Sequence, residues 1–194
     1  TFDVAQGVPM GAPGYMLGSG QEFGYTGAGQ NYTVPAGVTK ISIRLTGAGA
    51  GKGGNDVNIG GNPGPAGQVT GTLEVLAGDV LTFYLGSRGA DGQPSSGGGA
   101  GAPGNDGGYP DGDLSGGWGG NAGNLGWSGG GGGGGGAAIL VRARGGVTNL
   151  VAVAAGAGAG GGAGWQPAGL PGLTGNLLTN SVARGQDSAS VSSV

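Results

Sequence analysis

The sequence predicts an all-β protein: a small antiparallel β-sandwich carrying an inserted bundle of polyglycine II helices. Three observations lead there. Several short segments alternate apolar and polar residues with a period of two, as half-buried strands do. Glycine supplies 57 of 194 residues, about four times ordinary usage. Between the strands, those glycines recur at every third position. No stretch combines helical periodicity with caps, apart from 177–184, a candidate short helix.

The strands follow in order. A first pair, Glu22–Tyr25 and Asn31–Val34, is bracketed by glycines and ended by Pro35-Ala36-Gly37. Residues 39–46 place Ile41, Ile43 and Leu45 on one face, with Lys40, Ser42 and Arg44 on the other. Residues 68–75 set Val69, Leu73 and Val75 against Gln68, Thr70, Thr72 and Glu74, and Ala77-Gly78-Asp79 supplies a turn. Residues 80–85 are more continuously apolar and suit a strand covered on both faces. Ala138–Arg144 sets Ile139 and Val141 against Arg142 and Arg144, and a Gly145-Gly146 turn leads into Thr148–Ala154. The expected organisation is an arm at 1–20, one domain at 21–176 and a second arm at 177–194.

Glycine fills three blocks, roughly 47–67, 86–136 and 155–176. Within them Gly61, Gly64 and Gly67 are spaced in threes, as are Gly86, Gly89 and Gly92, and Gly98, Gly101, Gly104 and Gly107. The spacing continues through Gly117, Gly120, Gly123, Gly126 and Gly129, then Gly158, Gly161 and Gly164, and last Gly169, Gly172 and Gly175. A period of three belongs to an extended left-handed helix with three residues per turn. Collagen uses it with an unbroken register and abundant proline; here the register breaks repeatedly and proline is only 10 of 194. The other architecture packs short polyglycine helices side by side, each third residue facing a neighbour that only glycine lets approach. N–H and C=O groups then bond between helices. Flexible glycine linkers are the competing reading. Against it, the blocks at 47–67 and 86–136 lie between strands that must pair, and every block carries the triplet period. The run Gly129–Gly136 has no side chain on any face, which suits a helix surrounded by others.

Composition narrows the chemistry. There is no histidine and no cysteine, so imidazole bases, thiolate nucleophiles, disulfides and the usual zinc ligand sets are absent. A net charge of -3 argues against a nucleic-acid partner, which requires a basic face. No run approaches the length of apolar residues needed to span a bilayer, so no membrane insertion is expected.

Individual motifs carry little. Gly49, Gly51 and Gly54 satisfy G-x-G-x-x-G, but chance supplies such matches here and no helix follows to hold a phosphate. Asp106, Asp111 and Asp113 could offer oxygen ligands to calcium or pair for sugar cleavage, yet their spacing fits solvated turn carboxylates better. No cofactor, metal or catalytic residue is expected. Tyr109, Trp118, Trp127 and Trp165 lie in or beside glycine blocks, where an aromatic can grip a sugar ring or protein surface, or else cap the bundle. Tyr109 leans towards exposure. Arg88, Arg142 and Arg144 read as solvated strand residues or partners of Glu74 and Asp79.

The segment Tyr32-Thr33-Val34-Pro35-Ala36-Gly37-Val38-Thr39, an alternating strand and Thr46-Gly47-Ala48-Gly49-Ala50-Gly51 together resemble the opening of glycine-rich domains in phage tail and tail-fibre adhesin proteins. Bacterial surface proteins and, more distantly, the glycine-rich region of anaplastic lymphoma kinase-type receptors are similar. Later pieces continue the likeness: Ala77-Gly78-Asp79-Val80-Leu81, Leu85-Gly86-Ser87-Arg88-Gly89, Gly135–Arg142 and Leu150–Gly156. The match covers about residues 23–165. The resemblance implies a sandwich with polyglycine helices growing from one end and receptor-contacting loops at their tips. On this reading the chain is a non-enzymatic virion protein that presents rigid loops to a host-surface protein or glycan. Other virion subunits are its neighbours, and it is a homo-oligomer within the assembly. The contact candidates are Tyr109, Asp111, Asp113, Trp118 and Trp127. A purely structural virion component and an ice-binding protein are the alternatives.

Overall fold

A computed structural model of the chain describes residues 20–122, 128–164 and 168–175. The expected arms, the candidate helix at 177–184, Gly123, Gly126, Trp127 and Trp165 lie outside the described residues, Gly20 excepted. Among the described residues the protein is all-β and contains no helix. The strands are β1 (Gln30–Thr33), β2 (Lys40–Thr46), β3 (Gln68–Glu74), β4 (Val80–Leu85), β5 (Ala138–Arg144) and β6 (Val147–Ala154). Every pairing is antiparallel; one sheet runs β1-β4-β5-β6 and the other is β2-β3.

The alternation read in β2 places Ile41, Ile43 and Leu45 in the core and leaves Lys40, Ser42 and Arg44 exposed. Opposite them stand Leu81 and Phe83 of β4 with Ala138 and Leu140 of β5, so both sheets contribute to one core. β5 is apolar on both faces. Its Ile139 and Val141 are buried on the other side, with Tyr84, Tyr109, Leu114 and Val153. A bulge interrupts the β5–β6 register: Leu140 pairs with Ala152 but Val141 with Leu150, leaving Val151 as the extra residue.

The expected strand at Glu22–Tyr25 is absent. Phe23 makes its contact through the side chain instead, stacking on Phe83 with ring centroids 4.6 Å apart. Gly27, at φ 79°, then turns the chain before β1 begins.

At one end of the sheets an ion pair closes the β3–β4 turn. Arg144 donates from Nε and Nη2 to the two carboxylate oxygens of Asp79, at 2.7 and 2.6 Å. Leu76 N–H donates to Asp79 Oδ2 at 2.9 Å. The Arg144 hydrogen bonds, against the cost of burial, hold the Asp79 carboxyl at a pKa of about 2. The pairing of Arg144 with Asp79 expected from the sequence is therefore present.

The register fixes the other end. Thr46 pairs with Gln68, Leu85 with Ala138, and Ala138 with Ala154. The chain leaves β2, β4 and β6, and enters β3 and β5, at this same end. Every glycine-rich segment departs from it or returns to it.

Candidate functional site

The glycine-rich segments bond to one another through their backbones. Gly129–Gly136 is the hub. Gly129, Gly132 and Gly135 donate to Ala163, Gly160 and Ala157; Gly130, Gly133 and Gly136 donate to Gln93, Ala90 and Ser87; Gly131 and Gly134 donate to Gly120 and Gly117. All eight N–H groups are thus taken, by three different segments in strict rotation. Two further segments donate back: Ala48, Gly51 and Gly54 to Gly136, Gly133 and Gly130, and Gly101 and Gly104 to Gly131 and Gly134. Outer segments repeat the rule, Gly61, Gly64 and Gly67 donating to Gly161, Gly158 and Ala155, and Gly169, Gly172 and Gly175 to Ile59, Asn62 and Pro65. Triplets such as Gly61, Gly64 and Gly67 are rows of donors, whereas Gly117 and Gly120 accept and Gly116, Gly119 and Ala122 donate from that segment.

Side chains are excluded by backbone. A Cβ built on Gly51, Gly133 or Gly136 would sit 1.8, 1.9 or 1.8 Å from a neighbouring carbonyl oxygen. Where a methyl fits, alanine appears: Ala50, Ala157 and Ala159 form a small buried cluster.

The same bonds reveal the direction of each segment. Segments 47–54 and 86–93 run outward from the sheets, 98–104 returns, 116–122 runs out again, and 129–136 returns. The series written as Gly117 to Gly129 is therefore not one helix. Gly131 and Gly134 bond antiparallel to Gly120 and Gly117, so the chain reverses between them. Loops 55–59 and 94–97 lie at the far end, whereas loop 105–115 lies beside the sheets.

That placement separates the contact candidates. Tyr109 is half-buried, edge-on to Tyr84 at 5.4 Å between centroids, and forms part of the cover over β5 rather than the expected exposed ring. Buried Asp106 staples this loop, accepting from Gly108 and Leu114 N–H groups at 3.1 Å each. Asp111 and Asp113 are exposed on the same loop. The Ser115 hydroxyl and N–H hold the Asp113 carboxyl below its ordinary pKa, so a local turn accounts for it. Trp118 stands on the flank of segment 116–122, 68% exposed. Trp127 lies outside the described residues. Tyr109, Asp111 and Asp113 share one loop, and Trp118 stands apart from it.

The far end presents other residues. Val57 and Ile59 are 72% and 67% exposed on a loop tied at several points. Asn55 Oδ1 accepts from Gly60 N–H at 2.9 Å, Asp56 N–H donates to the Asn58 carbonyl at 2.9 Å, and Asn58 Nδ2 donates to the Gly164 carbonyl at 3.2 Å. Ser95 N–H donates to the Asn55 carbonyl, joining loops 55–59 and 94–97. These two β-branched residues were missed in the sequence. Their signal was two aliphatic residues between asparagines, inside a glycine block and outside any strand.

Among the described residues no three acidic side chains gather as a metal site, and no helix is long and apolar enough to cross a membrane. Arg88 pairs with Asp91, whose carboxyl is held below its usual pKa chiefly by the Lys52 N–H. No protein-family model matches the chain, and no curated protein matches it in sequence.

Proposed function

We propose that the two sheets form a β-sandwich, that the glycine segments are polyglycine II helices packed as a bundle, and that the whole is a non-enzymatic attachment domain of a bacteriophage tail or tail fibre. The observation that carries this reading is the rotation of donors along Gly129–Gly136 among three neighbours. A strand bonds on two sides only, whereas a helix with three residues per turn bonds in three directions. At about 3.1 Å per residue, such a helix carries the far loops about 22 Å beyond the sheets.

The function follows from stiffness. A loop already fixed at both ends loses little entropy when a receptor docks, and repeated copies on a virion multiply a modest single-site affinity. Val57 and Ile59, on the tied loop at the far end, are the foremost contact residues in this proposal, with Trp118 a flanking one. A host-surface protein or glycan is the partner, and neighbouring virion subunits hold the domain. The test replaces Val57 and Ile59 with serine in the particle. Virions that assemble with unchanged thermal stability and adsorb poorly support the proposal. Unaltered adsorption defeats it and leaves a purely structural virion component as the reading.

A further inference from the structure

At the junction of sheets and glycine segments lies an open cleft of about 410 Å³, towards the lower end of small-ligand sites, which span about 300–1,000 Å³. Phe23, Tyr25 and Leu85 give it apolar walls; Arg44, Thr46 and Gln68 give it polar ones. The walls are fixed from behind. Phe23 stacks on Phe83, and the Tyr25 hydroxyl accepts from Asn105 Nδ2 at 2.8 Å. With its amide oxygen towards Arg44, Gln68 accepts from Nε and Nη2 at 3.0 and 3.1 Å. That amide is neutral. Among the described residues Lys40, Arg88 and Arg144 each have a carboxylate partner, and no carboxylate pairs with Arg44. Its Nη1 hydrogens remain for an anion.

We propose that this cleft binds a carboxylate-bearing sugar, a uronic acid unit of an acidic polysaccharide. The exposed Tyr25 ring suits the apolar face of a pyranose ring, with buried Phe23 behind it. Thr46 and Gln68 offer hydroxyl and amide partners to ring hydroxyls, and Arg44 takes the carboxylate through charge-assisted hydrogen bonds. Gly24, with nothing within 4 Å of an added Cβ, leaves room for the ring, and the backbone of Gly47 and Gly86 completes the lining. The cleft is remote from loops 55–59 and 94–97, so this inference stands independently of attachment through the far end.

The test uses the full chain, titrated with methyl glucuronide and with methyl glucoside, which differ only in the carboxylate, and read by amide chemical shifts. Saturable shifts at Tyr25, Arg44, Gly47 and Gly86 are expected, with the glucuronide about tenfold tighter. Arg44→Gln, a change on an exposed face, is expected to lower glucuronide affinity to that of the glucoside without moving the melting temperature. Tyr25→Ala is expected to weaken both. Equal affinity for the two sugars overturns the proposal, as does the absence of shifts up to about 10 mM or indifference to Arg44→Gln. An extended peptide with a free carboxyl terminus that shifts the same amides at lower concentration than the glucuronide also overturns it.

Discussion

Gly133→Ala adds one methyl to the middle of the glycine hub. Its Cβ would stand 1.9 Å from the Ala102 carbonyl oxygen, where non-bonded carbon contacts settle at about 3.5 Å or more. Segment 98–104 must therefore retreat by about 1.5 Å. The bonds from Gly101 to Gly131 and from Gly104 to Gly134, now 2.8 and 2.9 Å, then stretch beyond useful range. Each group left buried and unpaired costs about 1–3 kcal/mol, so the variant is expected to lose about 3–5 kcal/mol. For a chain of this size that lowers the melting temperature by about 6–20 °C. Gly71→Ala is the control: it lies on exposed β3 with nothing within 4 Å of an added Cβ, and a gain of about 0.5 kcal/mol is expected. Calorimetry on both variants decides the matter. Equal melting temperatures would refute the claim that backbone contact forbids side chains at Gly133.

Other consequences can be measured. Asp79 has a depressed pKa of about 2, so its stabilisation is complete above the ordinary carboxyl range and is lost as pH falls through about 2. Asp79→Asn is expected to destabilise by about 2 kcal/mol at neutral pH and to flatten acid unfolding between about pH 4 and pH 2. Asp106→Ala should free loop 105–115, raising amide exchange at Gly108 and Leu114 while the Gly129–Gly136 amides stay protected. Trp118→Ala should change stability by less than about 0.5 kcal/mol, because the indole is largely solvated, and should remove a component of fluorescence accessible to iodide.

Much of the fold was legible because its strands obey a period of two. β2 and β3 lie within a residue of the segments read from alternation, and β4 matches the continuously apolar run 80–85. β5 and β6 lie within a residue of the segments read on either side of Gly145-Gly146. Glu22–Tyr25 misled because Phe23 and Tyr25 imitate strand alternation, although Phe23 serves as a plug on Phe83. Tyr109 was illegible locally, since its burial depends on Tyr84 and on the outer face of β5. The clue lay elsewhere, in the unbroken apolar run Ala137–Val141, which needs cover on both sides. The position of loop 105–115 followed from parity. A loop joining a returning segment to an outgoing one must lie beside the sheets, but the triplet spacing runs through Gly129 without marking the reversal. Val57 and Ile59 lacked any periodic context, and only the bonds around Asn55 and Asn58 give them a fixed place.

The bare run Gly129–Gly136 has a cost in assembly. With identical residues throughout, sliding it by three positions restores nearly the same bonds to the same neighbours, so the hub cannot recognise its own alignment. Only the covalent tie to β5, where Ala138 meets Leu85 and Ala154, distinguishes the right setting from its displaced copies. The alignment of the whole hub thus rests on the pairing of a strand that lies outside it.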